Sequence, residues 1–457
     1  MTYPGSGGQW QPEHQYGDQY GTQYGYGNQP TAAYPTRYGP PGALPPPPRR
    51  RRRGLVVGIV IAVVLLAAGA GATVWALNRS TQAGSSTPQA AVAKLAADVS
   101  AGDVLGIQSD LVPAEASALL DIGADGTGQL KRLQIESPAY DPQSPSVERA
   151  TGLSASGLTF DDNAMQTINA HLAINKLVSG TITLSPKLDR SMFTQQFLNA
   201  AFPGGLPQPR SNTIDIAQVV RQTGQPVRIA TIEVNGGWYT SLFYTAADYA
   251  LESARLPWPT TSLPATGADS ADAVARQFAQ ALLSADYRTA IELTDPNEMS
   301  VLHDAGPAIL DAVRKPTPTG ITIDAITFKD RQVSGGVDAV LRSATLRKGD
   351  DSLVLTQQGQ CYAVADKKTG DQRTLCANDV AGQMQSDPEL AGLPPDVATA
   401  LQHLTSGIIT SGVGLATTEA GGRWYVSPVR SFGALIVAMV SGLQPADIRA
   451  LAGLAGH

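Results

Sequence analysis

Charge is sparse in this chain: Asp, Glu, Lys and Arg make up 16 % of its 457 residues, and aromatic residues only 6 %. Histidine occurs five times, with His14 and His457 near the ends and His171, His303 and His403 far apart, so no metal-ligand spacing is present. The signatures H-E-x-x-H, G-x-S-x-G and G-x-x-x-x-G-K-[ST] are missing, which removes the zincin, serine-hydrolase and P-loop readings. Lys368-Thr369-Gly370 carries the letters of a penicillin-recognising motif, but no S-x-x-K accompanies it. Cysteine occurs twice, as Cys361 and Cys376, without C-x-x-C spacing, which argues against redox or zinc chemistry. The expectation is therefore no cofactor, no metal and no catalytic residue.

What is present begins with five consecutive arginines, Arg49, Arg50, Arg51, Arg52 and Arg53, followed by Gly54 and a stretch from 55 to 77 without a charged residue. Twenty-three helical residues at about 1.5 Å each span roughly 35 Å, enough to cross a hydrocarbon core. Residues 54–77 are thus expected to form a transmembrane helix. The arginines hold the N-terminus in the cytoplasm, and Trp75 suits an interfacial anchor at the other end. A cleaved signal would be shorter and nearer the start of the chain. Of the 33 basic residues, six lie in residues 1–53 beside Glu13 and Asp18. The outer part, 78–457, is left with 27 basic against 37 acidic residues, a balance of −10 that disfavours nucleic acid as a partner.

Residues 1–53 read as a disordered cytoplasmic tail rich in Gly, Tyr, Gln and Pro, serving either as a solvated spacer or as a dock for a cytoplasmic partner. Residues 78–88 read as a stalk. Beyond it the chain repeats itself. Pro113, Glu115, Ser117, Leu119 and Asp121 match Pro296, Glu298, Ser300, Leu302 and Asp304 at an offset of 183. Ala230, Thr231, Glu233, Gly236, Trp238, Tyr239 and Ser241 match Ala416, Thr417, Glu419, Gly422, Trp424, Tyr425 and Ser427 at an offset of 186. Ala91-Val92-Ala93-Lys94 likewise resembles Ala273-Val274-Ala275-Arg276. The fold class expected is α+β, as two tandem units at 89–254 and 268–457, each made of helices followed by an antiparallel sheet that ends in a hairpin. A proline-rich linker, 255–267, separates them and suggests semi-independent units, and the second carries a helical insert at roughly 378–404.

Ala275, Phe278, Ala279, Ala281, Leu282, Asp286, Tyr287 and Ala290 follow the pattern A-x-x-F-A-x-A-L-x-x-x-D-Y-x-x-A. Together with the order of helices before a curved sheet, this resembles the nuclear-transport-factor-like cone fold. The whole chain resembles actinobacterial single-pass envelope proteins that carry such outer domains, among them Mce-associated proteins and an assembly subunit of type IV secretion. The resemblance implies a non-enzymatic scaffold or accessory module at the plasma membrane with envelope protein partners. Fold alone does not choose a function, and a ligand sensor or enzyme using one cone as a pocket stays open. No His/Asp pair occupies matching positions in both copies.

Several residues carry narrower expectations. Cys361 and Cys376 flank a polar turn between strand-like arms, so a disulfide across a hairpin is expected, worth about 3 kcal/mol in the chain-entropy model. Trp238-Tyr239 and Trp424-Tyr425 recur in both units, either as core packing or as a partner surface. His303-Asp304 is expected on a helix surface, and Asp295, Glu298 and Asp304 as capping acids around a helix start. Gly123, Gly126 and Gly128 read as a polar loop, residues 238–244 as strand, and 432–443 as a buried terminal helix.

Overall fold

The structure is a computed structural model that describes residues 83–138, 152–185, 190–206, 208, 211–313, 317–377 and 394–455. The tail, the five arginines and the 54–77 segment lie outside the described residues, as do most of the stalk and 378–393 of the insert. Among the described residues no single helix is long and apolar enough to cross a membrane; Pro428–Gly442 and Pro445–Leu451 meet that test only as a pair bent by 100°.

Local capping chemistry builds each half in the same way. Thr87 accepts a hydrogen bond from Ala90 N (3.1 Å) and starts helix α1, Pro88–Ala101, which buries Ala91, Val92, Leu95 and Val99. Gly102, at φ 68°, ends it, and Asp103 caps α2, Val104–Asp110. Helix α3, Pro113–Arg132, follows. After β1 (Leu153–Phe160), β2 (Gln166–Thr167) and β3 (Leu172–Leu184) come α4 (Gln195–Ala201), β4 (Asn212–Asp215) and α5 (Ile216–Thr223). Strands β5 (Val227–Val234) and β6 (Gly237–Ser241) then form a hairpin, and α6 (Leu242–Ala254) closes the half.

In the second half Ser270 caps α7, Ala271–Leu283, by accepting from Ala273 N at 3.1 Å. Ala285 takes the positive φ of 56°, Asp286 caps α8 (Tyr287–Glu292), and α9, Ser300–Ala312, follows. Thr87 and Ser270 are 183 residues apart, as are Gly102 and Ala285, so the caps set the first helices one residue away from the Ala91/Ala273 alignment. Strands β7 (Thr322–Val333), β8 (Gly336–Lys348), β9 (Asp351–Gln358), β10 (Cys361–Asp366) and β11 (Gln372–Cys376) form a meander. Helix α10 (Pro395–Ser411), the hairpin β12 (Gly414–Ala420) and β13 (Arg423–Val426), and helices α11 (Pro428–Gly442) and α12 (Pro445–Ala455) complete the chain.

The fold is α+β with two antiparallel sheets. One has six strands in the order β1-β3-β5-β6 with β2 and β4 also on β3; the other has seven, β11-β10-β9-β8-β12-β13, with β7 on β8. The long strands β3 and β8 divide one edge between two neighbours: residues 172–177 of β3 pair with β5 and 181–184 with β4, while 337–340 of β8 pair with β12 and 343–348 with β9. Both closing hairpins turn on two residues at positive φ, Asn235-Gly236 (52° and 83°) and Gly421-Gly422 (58° and 75°), the geometry of a type I′ turn.

Four expectations are revised. Residues 238–244 are not all strand: Ser241 ends β6 and its hydroxyl caps α6 by accepting from Tyr244 N (2.9 Å). Gly123, Gly126 and Gly128 lie inside α3, carried through three poor helix formers by packing against α11, where Ile122 fills the space beside Gly433. Residues 432–443 belong to a helix that ends at Gly442, but Phe432 is 64 % exposed, with Leu435 and Ile436 exposed beside it. The linker is no free tether: the Trp258 ring stacks on Tyr244, its Nε1 donates to Asp248 (2.9 Å), and Leu263 is buried with its N–H on His303 O (2.9 Å). The central core is also shared, because Val112, Leu172, Ile174, Ala230, Ile232 and Tyr244 pack with Met299 and Val301 from beyond the linker.

Candidate functional site

Two matching pairs of acids, Glu115 with Glu298 and Asp121 with Asp304, lie where the two halves meet. In the first half Glu115, on α3, is fully buried, and its carboxylate accepts from the Ser241 hydroxyl, from Leu242 N (2.8 Å) and from Phe243 N (3.4 Å). It thereby satisfies the open N–H groups at the start of α6. Burial pushes its carboxyl up to about 7, against the lowering effect of those donors, since no cation is among them. In the second half Glu298 accepts from the Ser427 hydroxyl at the start of α11 and from the Arg430 guanidinium. Burial raises this carboxyl too, but Arg430 works against the rise.

Each half then sends one acid into the other. Asp121 of α3 receives Arg430 Nη1 from α11, and Asp304 of α9 receives the Tyr244 hydroxyl from α6 at 2.6 Å. Asp121 and Asp304 are 183 residues apart and Tyr244 and Arg430 are 186 apart, the spacings at which the sequence repeats. Arg132, at the end of α3, adds a clamp by donating to the carbonyls of Leu443 and Val440, both at 2.8 Å, where α11 ends.

Around Asp304 the contacts form a closed set. One carboxylate oxygen accepts from His171 Nε2 (2.7 Å) and Tyr244, and the other from the Ser262 hydroxyl in the linker. Burial alone would raise Asp304, but these three donors outweigh it and hold the carboxyl below the usual range. The same hydrogen bond raises His171, against partial burial and with help from the negative charge of Asp304 and Glu233. Burial first, then the Asp304 charge, pushes the Tyr244 phenol far up, so it remains a donor. These groups edge a cavity of about 390 Å³ between the halves, with Val112, Ile232, Val234 and Leu263 as apolar wall and Glu233, Asn297 and Ser300 as further polar lining.

The chemistry available there is hydrogen bonding and proton uptake. Ser262 donates to Asp304 and not to the imidazole, so no Ser-His-Asp relay for nucleophilic attack is assembled. Among the described residues no three His, Cys, Asp or Glu side chains are grouped to hold a metal ion. A second cavity of about 550 Å³ lies beside α11, lined by Asp125, Arg331, Ser334, Ala434, Ala438 and Ser441 among others. A third, of about 610 Å³, is an open groove between α1 and β1 walled by Ala90, Ala93, Ala97, Leu158 and Phe160.

The residues singled out in the sequence fall in different places. Cys361 and Cys376 are joined as a disulfide and stand opposite each other at the open end of the β10–β11 hairpin. Trp238 and Trp424 are half-buried on the closing strands, each bridged to the segment before its half's first helix, at Ser85 and Ala268. Trp424 packs on the cluster of Ala268, Val274, Leu293 and Val426, as do Ala273 and Phe278 of α7. Tyr239 packs on the central core and Tyr425 is buried; their rings lie against Gly84 and Gly267, where a Cβ would come within 2.6 Å and 2.7 Å. His303 and Asp304 are not a surface pair. His303 is buried with its ring nitrogens on Leu263 O (3.2 Å) and Thr294 O (3.1 Å), while Asp304 serves the seam. Asp295 holds the turn before α9, accepting from Asn297 N (2.7 Å) and Glu298 N (2.9 Å), but the helix itself starts after Met299 without a side-chain cap, so none of the three acids caps it.

Arg430, Tyr244 and His171 were not singled out by sequence reasoning as seam residues. The signal that leads to them is the recurrence of an acid with a serine, Glu115 with Ser241 and Glu298 with Ser427, at the same places in both halves. Comparison with protein-family models, with curated proteins and with solved structures finds no match to this chain.

Proposed function

We propose that this chain is a single-pass plasma-membrane protein whose outer part, two tandem copies of a nuclear-transport-factor-like unit, is a non-enzymatic scaffold for an envelope protein complex. The anchor and its five arginines support the topology, and the repeated caps, hairpins and buried acids support the duplication. The observation that carries the scaffold reading is the reciprocal seam. Asp121 with Arg430 and Asp304 with Tyr244 spend the matching polar groups of the two halves on joining them, which makes one rigid body with a composite surface. The exposed Phe432, Leu435 and Ile436 on α11 lie on that surface, one helical turn apart, in the manner of a partner-binding face.

Crosslinking in intact membranes followed by co-purification of the full-length protein tests this reading. A specific envelope protein captured by the native chain and lost on Phe432→Asp supports it; capture of no protein that depends on the outer part sinks it. A reporter active only outside the cytoplasm, fused after His457, is expected to work.

A second reading is favoured by one observation: the seam cavity is lined by His171, Glu233 and Asp304 with an apolar wall, the composition of a small-ligand site. A compound that protects the cavity residues in a ligand screen, with protection lost on Glu233→Gln, favours that sensor reading over the scaffold.

A further inference from the structure

The two edges of the seam differ in one respect that bears on regulation. At the α3–α11 edge the cation is an arginine, whose guanidinium keeps its charge throughout the accessible pH range. At the α6–α9 edge the cationic group on the acid, among the described residues, is His171, a side chain that changes charge near neutrality. Its imidazole is 43 % exposed and so exchanges protons with solvent, whereas Asp304 beneath it is 12 % exposed.

We propose that the His171–Asp304 contact is a proton-operated latch on one edge of the seam, tightened when the imidazole is charged and loosened when it is neutral. The groups facing His171 all act in one direction. From α9 comes the Asp304 carboxylate; from β5, Glu233; from α6, the neutral Tyr244 hydroxyl, which shares the Asp304 oxygen; from the linker, Ser262 on the other oxygen. His303, also on α9, turns its ring nitrogens to carbonyls, and among the described residues no lysine or arginine lines the cavity. Every formal charge facing the ring is therefore negative, and protonation is favoured.

Loss of the proton weakens the contact in two ways. An imidazolium–carboxylate ion pair becomes a neutral donor on a carboxylate, which keeps the hydrogen bond but loses the attraction between opposite charges. The neutral ring also divides between two tautomers, and only the one protonated at Nε2 can donate to Asp304. The raised His171 means that its contribution is fully present below pH 6.5 and is lost as pH rises through its folded-state midpoint. Asp304 is lowered, so its own contribution is present above the ordinary carboxylate range and is lost only as pH falls through its folded value. The latch is thus tightest in mildly acidic solution and relaxes toward alkaline pH, and the cavity wall that His171 and Asp304 share relaxes with it. The geometry stands independently of the membrane topology; only the meaning, a response to external pH, rests on that reading.

The test uses the full-length protein in mild detergent with carbon-13 at the histidine ring. The His171 resonance is expected to titrate with a midpoint above 6.5, each unit of elevation corresponding to about a tenfold preference of the charged form for the seam. Amide exchange of Ser300–Ala312 and Leu242–Ala254, corrected for the intrinsic pH effect, is expected to be about threefold or more faster at pH 8 than at pH 6. His171→Gln keeps an N–H donor without a titrating proton, and should remove that step in α9 while leaving the slower pH response due to Glu115. Asp121→Asn, at the other edge, should leave the step in place. A midpoint at or below 6.5, or an undiminished step in His171→Gln, overturns the latch.

Discussion

The two halves place the same carboxylate under the same serine but neutralise it differently. Glu298 has Arg430 one turn into the following helix; Glu115 has Tyr244 at the corresponding position, and no cation. A single difference in residue type thereby gives one half a buried ion pair extended to Asp121, and the other a buried acid lifted to about 7, while Asp304 is held separately by a phenol and a histidine. One architecture can therefore hold a permanent electrostatic joint on one side and a titrating one on the other. The comparison can be broken or sharpened by substitution at each matching position.

The largest effect is expected at Arg430. Arg430→Met leaves Glu298 and Asp121 facing a buried gap, and breaking such a pair costs about 3–5 kcal/mol, read from urea unfolding. Tyr244→Phe, at the matching position, removes one donor from Asp304 and should cost only about 1–2 kcal/mol. Similar losses for both would mean that the arginine is solvated and the comparison fails.

The next effect is a pH dependence. Glu115 is lifted from 4.5 to about 7, so the folded state binds its proton more tightly than the unfolded chain does. Its contribution is fully present below pH 4.5 and is lost as pH rises through about 7, an integrated change of about 3 kcal/mol. Asp110, also lifted to about 7 by burial against the pull of Lys94, adds a step of the same sign. Glu115→Gln should flatten the stability profile between pH 5 and 8, and Asp110→Asn should flatten what remains; Glu298→Gln should not produce the same flattening. Unfolding midpoints at four pH values suffice.

Trp238→Ala and Trp424→Ala remove half-buried rings, so about 2 kcal/mol each is expected rather than the 3–5 kcal/mol of a fully buried Trp. The proline-rich linker suggested that each change would weaken its own half far more than the other. With a core cluster that crosses the linker, either change should instead shift a single unfolding transition. Two separated transitions would show the seam to be weak.

The smallest effect concerns Gly102 and Ala285, which hold the same left-handed turn. Ala285→Gly should stabilise by about 0.5 kcal/mol, the steric relief being partly offset by unfolded-state entropy. Gly102→Ala should cost more than this, because the added Cβ would also meet Leu153 O at 2.9 Å.

Much of the local structure was readable beforehand. The disulfide hairpin was legible from the polar turn at residues 366–371, and the closing hairpins from Asn235-Gly236 and Gly421-Gly422, because turn geometry depends on a few neighbouring dihedrals. The glycines of α3 misled, since intrinsic propensity disfavours them and only the helix packed against Ile122 and Arg132 overrides it. The break at Ser241 was hidden because β6 and the start of α6 share an apolar alternation. What ends the strand is Glu115, 126 residues away, drawn to the first N–H groups of the helix.

The sequence by itself determined the matching stretches, the α+β order of elements, the acidic balance of residues 78–457 and the pairing of the two cysteines, all of which follow from residue type and short-range spacing. Only the tertiary structure decided what the repeated polar residues do. Arg430 and Asp121 are 309 residues apart, and Asp304 lies 133 residues from His171 and 60 from Tyr244. A carboxylate exposed on a helix surface and one buried in a seam can have the same neighbours in sequence; they differ in which distant donor reaches them once water is excluded, and that depends on how the two halves pack.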